Sequence, residues 1–186
     1  MTKRKIVAIL GLPGSGKTEV INYLIGKYNW PKVYFGDVTF DETKKQGLEI
    51  NEKNERMVRE GLRDKYGRLY YASQIIKKIE ELPGDSPILV ESLYDWQEYL
   101  LFREKFGDDF ITIAIYASPK LRYERLGKRL LRPLTPQEAQ GRDYAQIENL
   151  FQAGPIVMAD YNIDNTGTFE SLFNQVDAII GNIIKI

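Results

Sequence analysis

The apolar positions of the chain gather in five short runs, at residues 5–10, 33–35, 87–91, 110–116 and 160–163. Short runs bounded by Gly, Pro or Asp read as strands, most clearly where Val and Ile dominate, as in 110–116. Between them the spacing becomes helical. In residues 19–25, Val20, Ile21, Leu24 and Ile25 fall on one side. Residues 51–66 set Val58, Leu62 and Tyr66 on one face, with Glu52/Arg56 and Glu55/Arg59 as i,i+4 pairs. A helix from 70 to 82 stops at Pro83-Gly84, and another carrying Trp96, Tyr99, Leu100 and Phe106 ends near Gly107. Ser118-Pro119 reads as an N-cap and first helical residue, opening a helix to about Leu131. Residues 132–152 begin with the breakers Arg132-Pro133-Leu134-Thr135-Pro136 and continue as a charged, weakly apolar helix. Asn165-Thr166-Gly167 is a turn, and a last helix carries Phe169, Leu172, Phe173, Val176, Ile179 and Ile180. Strands alternating with helices predict an α/β domain, its parallel sheet covered on both faces. With no repeat, low-complexity tract or linker, residues 1–186 read as one domain.

Between the first strand and the first helix stands Gly11-Leu12-Pro13-Gly14-Ser15-Gly16-Lys17-Thr18, a complete P-loop. Strand, glycine turn and helix form the context this motif demands. Glycines at 11, 14 and 16 let backbone N–H groups, Ser15 among them, curl round phosphate oxygens. The helix N-terminus adds partial positive charge there. Lys17 is expected to reach the β- and γ-phosphates, and the Thr18 hydroxyl to ligate Mg²⁺.

Composition narrows the chemistry. The 186 residues suffice for one α/β domain. With 26 basic and 26 acidic side chains, the chain shows no electrostatic footprint for nucleic acid or for an anionic membrane. There is no cysteine and no histidine. That excludes disulfides, thiolate chemistry, a His general base and His-ligated metals. Acid–base work falls to Asp, Glu, Lys or Tyr, and metal ligands must be oxygens, which suits Mg²⁺. The N-terminal apolar run is too short for a signal segment or a membrane span, so a cytoplasmic protein is expected.

A P-loop alone allows a GTPase, a motor ATPase or a small-molecule kinase. The chain has no Asn-Lys-x-Asp guanine motif. After the fourth strand, Arg122, Arg125, Lys128, Arg129 and Arg132 crowd together, with Arg125 and Arg129 at i,i+4 on the expected helix. Their guanidinium groups suit adenine stacking and phosphate binding. A solvated basic face is the alternative. The breaker-bounded segment beyond them, about 130–152, suits a closing lid.

These features resemble the P-loop nucleotide kinases of the adenylate kinase and dephospho-CoA kinase type. The chain is most similar to the archaeal dephospho-CoA kinase-like, adenylate kinase-related family. The resemblance rests on the P-loop, Gly36-Asp37-Val38, residues 115–126, Gly141-Arg142-Asp143, and the Ala159-Asp160-Tyr161-Asn162-Ile163-Asp164-Asn165-Thr166-Gly167 segment. It implies a five-stranded parallel sheet in the order 2-3-1-4-5 with a small helical lid. It also implies roles: Arg125 on the donor adenine, Arg129 on its phosphates, Arg142 at the transferring phosphoryl group. Asn165 to Gly167 would form the adenine-side loop. Asp37 would stand where the acceptor arrives, orienting it, holding a Mg²⁺ water or accepting a proton. Glu91 would orient the acceptor or hold Mg²⁺ through water.

The acceptor half departs from that family. Phe40 and Tyr94 stand where it carries arginines, and Arg142-Asp143-Tyr144-Ala145-Gln146 lacks another. Arg56, Arg59 and Arg63 share one helix and either replace that clamp or form a solvated salt-bridge face. The expectation is an ATP- and Mg²⁺-dependent phosphotransferase for a small nucleotide-like substrate, first a (deoxy)nucleoside monophosphate. Transfer to a hydroxyl, as in dephospho-CoA, is the second acceptor class. A non-catalytic ATP- or ADP-binding regulatory protein is the rival. Monomer and homodimer are both open.

Overall fold

β1 (Ile6–Leu10) is buried along its whole length, because its two faces feed two different cores. The computed structural model describes residues 4–130 and 132–184, and only the backbone of Glu52. Ile6, Ala8 and Leu10 join one apolar cluster; Val7 and Ile9 join the other. β3 (Ile88–Glu91) and β4 (Phe110–Tyr116) flank β1, with Ile6 opposite both Ile88 and Phe110. β2 (Lys32–Tyr34) and β5 (Tyr161–Asp164) form the edges. All pairs are parallel and the order is β2-β3-β1-β4-β5, as the resemblance implied. Sequential parallel strands need crossovers, and helices supply them.

α1 (Lys17–Tyr28) and α9 (Phe169–Ile184) cover one face, burying Val20, Ile21, Leu24, Leu172, Val176 and Ile180. The other face lies under α2 (Phe35–Lys45), α3 (Glu52–Tyr66), α4 (Tyr70–Glu81) and α5 (Trp96–Phe106). α6 (Pro119–Gly127) follows β4, capped by Ser118 as expected. α7 (Pro136–Leu150) starts in a reciprocal capping box between Thr135 and Glu138. α8 (Ala153–Val157) leads into β5. Asp160 ties β5 to β4 by accepting from the Thr112 amide and hydroxyl, both at 2.7 Å, and from Arg103 at 2.6 Å.

Several boundaries differ from the sequence expectation. β2 ends at Tyr34, and Phe35 already belongs to α2, an element the pattern did not reveal. Phe35-Gly36-Asp37-Val38-Thr39 has weak helix propensity, and burial of Phe35, Val38, Thr39 and Thr43 overrides it. α6 stops at Gly127, so Arg129 lies beyond the helix rather than one turn above Arg125. Leu126 is the last buried residue of α6, and the chain doubles back to bond the Leu134 amide to the Leu126 carbonyl. Leu131, the expected end, lies outside the described residues. Tyr66, expected on one face with Val58 and Leu62, is exposed, and so is Leu100. Among the described residues, no helix is long and apolar enough to cross a membrane.

Candidate functional site

The P-loop leaves β1 at the carboxyl edge of the sheet and wraps onto the start of α1. Gly14 and Gly16 both have positive φ, 79° and 104°. A Cβ on Gly14 would meet the Arg122 carbonyl at 2.7 Å, and one on Gly16 would collide with the Asn165 amide. Backbone conformation and close packing thus both require glycine. Asn165 is buried and donates from Nδ2 to the Ser15 carbonyl at 2.7 Å, tying the β5–α9 turn to the P-loop. The Ser15 hydroxyl is buried with no protein partner.

Lys17 is half-buried and donates to the Leu12 carbonyl at 3.1 Å. Its pKa falls from 10.5 to about 7, first through desolvation and then through the charges of Arg129 and Arg142. Concentrated, poorly solvated positive charge over a glycine cradle fits a polyphosphate. Thr18, exposed at the helix start, offers a hydroxyl, and Glu91 a carboxylate at the end of β3. Two protein oxygens with phosphates and water suit Mg²⁺. Glu91 pairs with Lys32 at 2.6 Å, a bond that metal binding would have to loosen or share.

Two pockets flank Lys17. The first, about 260 Å³, is lined by Gly14, Gly16, Thr18, Arg125, Arg129 and Asn165, with Phe169 at its rim. Arg125 donates to the Asn165 carbonyl at 2.8 Å, while its Nη1 is buried without a partner. The shortened α6 therefore still brings Arg129 to the same pocket as Arg125. Phe169 is 60% exposed and stacks on Phe173. Gly167 is exposed in the turn beyond Asn165 and is not among the pocket's lining residues.

The second pocket, about 200 Å³, lies between α2, α3, α4 and α5. Phe40 and Tyr94 line it together with Arg59, Arg63 and Arg142. The Tyr94 ring centre is 5.9 Å from Lys17 Nζ. The α3 arginines divide: Arg56 pairs outward with Glu60 at 2.8 Å, while Arg59 and Arg63 reach the cleft. The Glu52/Arg56 pairing lies outside the described side chains. Burial raises the Tyr94 phenol above its ordinary range. Glu98, which sequence reasoning passed over, is buried on the wall of this cleft. Its position next to Tyr99 in an aromatic helix offered a weak signal.

Asp37 does not stand with these residues. It sits in the first turn of α2, on a shallow pocket with Lys32, Lys78 and Leu82. Gly36 and Phe40 face the cleft, and helical rotation turns Asp37 away. Desolvation raises its pKa. Asp37 thus lies on a different pocket from Phe40 and Tyr94.

Arg122 departs from the rest of the arginine run. Its guanidinium is buried, not solvated. It grips both oxygens of Asp143 at 2.9 and 2.6 Å and donates to the Pro13 and Ala117 carbonyls at 3.1 Å. Gln152 donates to the Gly11 carbonyl at 3.1 Å. Helix α7 is thereby anchored to the P-loop, and Arg142 is set beside the anchor. A further cavity, about 570 Å³, lies at the ends of β4 and β5 and is mainly apolar. Arg122 lines it with its charge already paired, so it is not a phosphate site.

Together the sheet order, P-loop and flanking pockets define a P-loop protein of the kinase fold. Solved structures agree: TT1252 from Thermus thermophilus superposes with a TM-score of 0.66 at 17% identity, covering 97% of this chain and 98% of that one. A gluconokinase from Sinorhizobium meliloti 1021 gives 0.60 at 14%, over 97% and 95%. A shikimate kinase from Aquifex aeolicus vf5 gives 0.56 at 21%, over 96% and 98%. A family model described as an AAA domain matches residues 7–144. UPF0200 proteins align nearly end to end. That of Methanosarcina mazei is 37% identical over 97% of this chain and 96% of its own. That of Methanocaldococcus jannaschii is 34% identical over 97% and 91%. The chain belongs to the UPF0200 family and to the AAA-domain family of that model.

Proposed function

We propose that the protein is an ATP- and Mg²⁺-dependent phosphotransferase acting on a nucleotide-like small molecule, first a (deoxy)nucleoside monophosphate. One observation carries this reading. Lys17 has among its electrostatic neighbours both Arg129, which lines one pocket, and Arg142, which lines the other. A lysine between two pockets is the arrangement that direct transfer between two bound substrates requires.

The donor nucleotide takes the pocket of Arg125 and Arg129, its base between Arg125 and Phe169 and its phosphates in the P-loop. The acceptor takes the cleft of Phe40, Tyr94, Arg59 and Arg63. Its oxygen forms the new bond to the γ-phosphorus as the β,γ-bridging bond breaks and ADP leaves. Lys17, Arg129 and Arg142 counter the charge spread over the transferring group. Thr18 and Glu91 would hold Mg²⁺, which would supply further charge neutralisation. The segment from about 130 to 152 shields the site, anchored through Asp143.

Transfer to a hydroxyl, of the dephospho-CoA kinase kind, is the second reading. It is favoured by Phe40 and Tyr94, aromatic cleft residues at positions where the resembling kinases carry arginines. The test is ADP formation from MgATP with ribo- and deoxyribonucleoside monophosphates, dephospho-CoA and a no-acceptor control. A monophosphate raising turnover to about 1–100 s⁻¹ supports the first reading. Stimulation by dephospho-CoA alone replaces it with the second. Slow, acceptor-independent hydrolysis throughout points instead to an ATP-binding regulatory protein.

A further inference from the structure

Glu98 occupies an unusual position for a carboxylate. It is 2% exposed, it lines the cleft, and its Oε1 has no hydrogen-bond partner. Its helix position accounts for only half of the group. Glu98 is the third residue of α5, and its carboxyl accepts the backbone N–H of the N-cap residue, Asp95. Oε1 is unpartnered, and the side chain lines the cleft. A buried polar atom without a partner is costly, and such atoms in native folds call for an explanation.

We propose that Glu98 reads the base of the acceptor nucleotide and selects an amino group beside an unprotonated ring nitrogen, the hydrogen-bonding edge of adenine or cytosine. This deepens the reading of the cleft as the acceptor site and rests on it. Three features converge. The cleft is walled by Tyr34, Phe35, Phe40, Tyr71 and Tyr94, which suits a flat heteroaromatic ring better than a polyol. Arg142 and Tyr94 stand at the end near Lys17, where the acceptor phosphate belongs. Glu98 stands among Arg63 and the Asp95–Arg68 ion pair, where the base belongs.

The protonation state favours the amino-bearing edge. Burial, then the neighbouring Asp95 carboxylate, pushes Glu98 up to about 8, against the opposing pull of Arg63 and Arg68. The remaining polar groups of this cleft are Glu55 and Arg59 on α3, Tyr71 on α4, Thr39 on α2, the Tyr34 phenol and Ser92; Tyr71 and Thr39 bond each other at 2.8 Å, and Ser92 bonds the Tyr94 hydroxyl at 2.9 Å. At pH 7, below that value, the protonated form of Glu98 predominates. Its O–H donates to the ring nitrogen, and its carbonyl oxygen, with a lone pair beyond the Asp95 bond, accepts from the amino group. Guanine and uracil present a ring N–H at that point, donor against donor.

The test measures equilibrium binding of AMP, CMP, GMP and UMP at pH 7, by calorimetry. A saturating magnesium complex of a non-hydrolysable ATP analogue keeps the P-loop occupied. Expected is a preference for AMP or CMP over GMP and UMP on the order of 10- to 100-fold. Glu98→Gln, whose amide supplies one donor and one acceptor, keeps that preference, and Glu98→Leu abolishes it. Unchanged binding of the ATP analogue verifies that both variants are folded. A preference for GMP or UMP, equal binding of all four, or a Glu98→Leu variant that still discriminates overturns the role of Glu98 while leaving the cleft a nucleotide site. No monophosphate binding, with ATP analogue still bound, overturns the acceptor reading as well.

Discussion

Lys17 bears a charge that the ligand-free protein solvates poorly. Its pKa of about 7 makes a large fraction of the protein neutral there at pH 8, and a polyphosphate would draw the proton back. MgATP binding at pH 8 is therefore expected to take up close to one proton, measured by calorimetry in buffers of different ionisation enthalpy. Lys17→Met should remove the uptake and abolish phosphoryl transfer. The same shift has a stability sign. Lys17 loses its proton near 7 when folded and near 10.5 when unfolded, so between these values the unfolded chain binds more protons. Its contribution to stability rises with pH over that window. Glu98 acts oppositely. It keeps its proton to about 8 when folded but loses it near 4.5 when unfolded, so its contribution falls between these values. Glu98→Gln should flatten that fall in a series of melting temperatures, and an unchanged profile would contradict the raised pKa.

Helix α7 owes its place to one buried pair more than to its own apolar face, which buries little beyond Ala139. The side chains of Arg122 and Asp143 are each 4% exposed. Removing one partner strands the other charge, a loss of about 3–5 kcal/mol. Asp143→Ala should lower unfolding free energy by that amount in urea titrations. Because Arg142 is the adjacent residue, the same variant should cut turnover further than its lost stability accounts for. Replacing both partners by apolar residues of similar size should restore much of the stability but not the turnover. At the start of the helix, Thr135→Ala removes the capping box and should cost about 1 kcal/mol. Helix α2 makes the complementary point. Its sequence scarcely favours a helix, yet its burial over α3 and α4 forms one, and with it a wall of the cleft.

For the molecule as a whole, the P-loop is a junction. Asn165 reaches it from β5, Arg122 from α6, and Gln152 from the segment before α8. A ligand that fills this junction should stabilise the entire fold. Saturation with MgATP at about 100 times Kd is expected to add about 2.7 kcal/mol, read as a rise in melting temperature. Lys17→Met should lose most of that rise.

The sequence by itself determined the strands, the sheet's parallel character and the phosphate cradle. These depend on short-range regularities: a run of β-branched residues, a glycine spacing, a cap followed by proline. It also placed Arg125, Arg129, Asn165 and Arg142 among the candidates. It could not separate Arg122 from Arg125 and Arg129, because one run of arginines supplied both an internal brace and pocket-lining charges. Nor could it turn Asp37 away from the cleft, reveal α2, or single out Glu98. Those outcomes depend on which face of a helix meets its neighbours. That choice is made by burial between segments remote in sequence, and only the tertiary structure decides it.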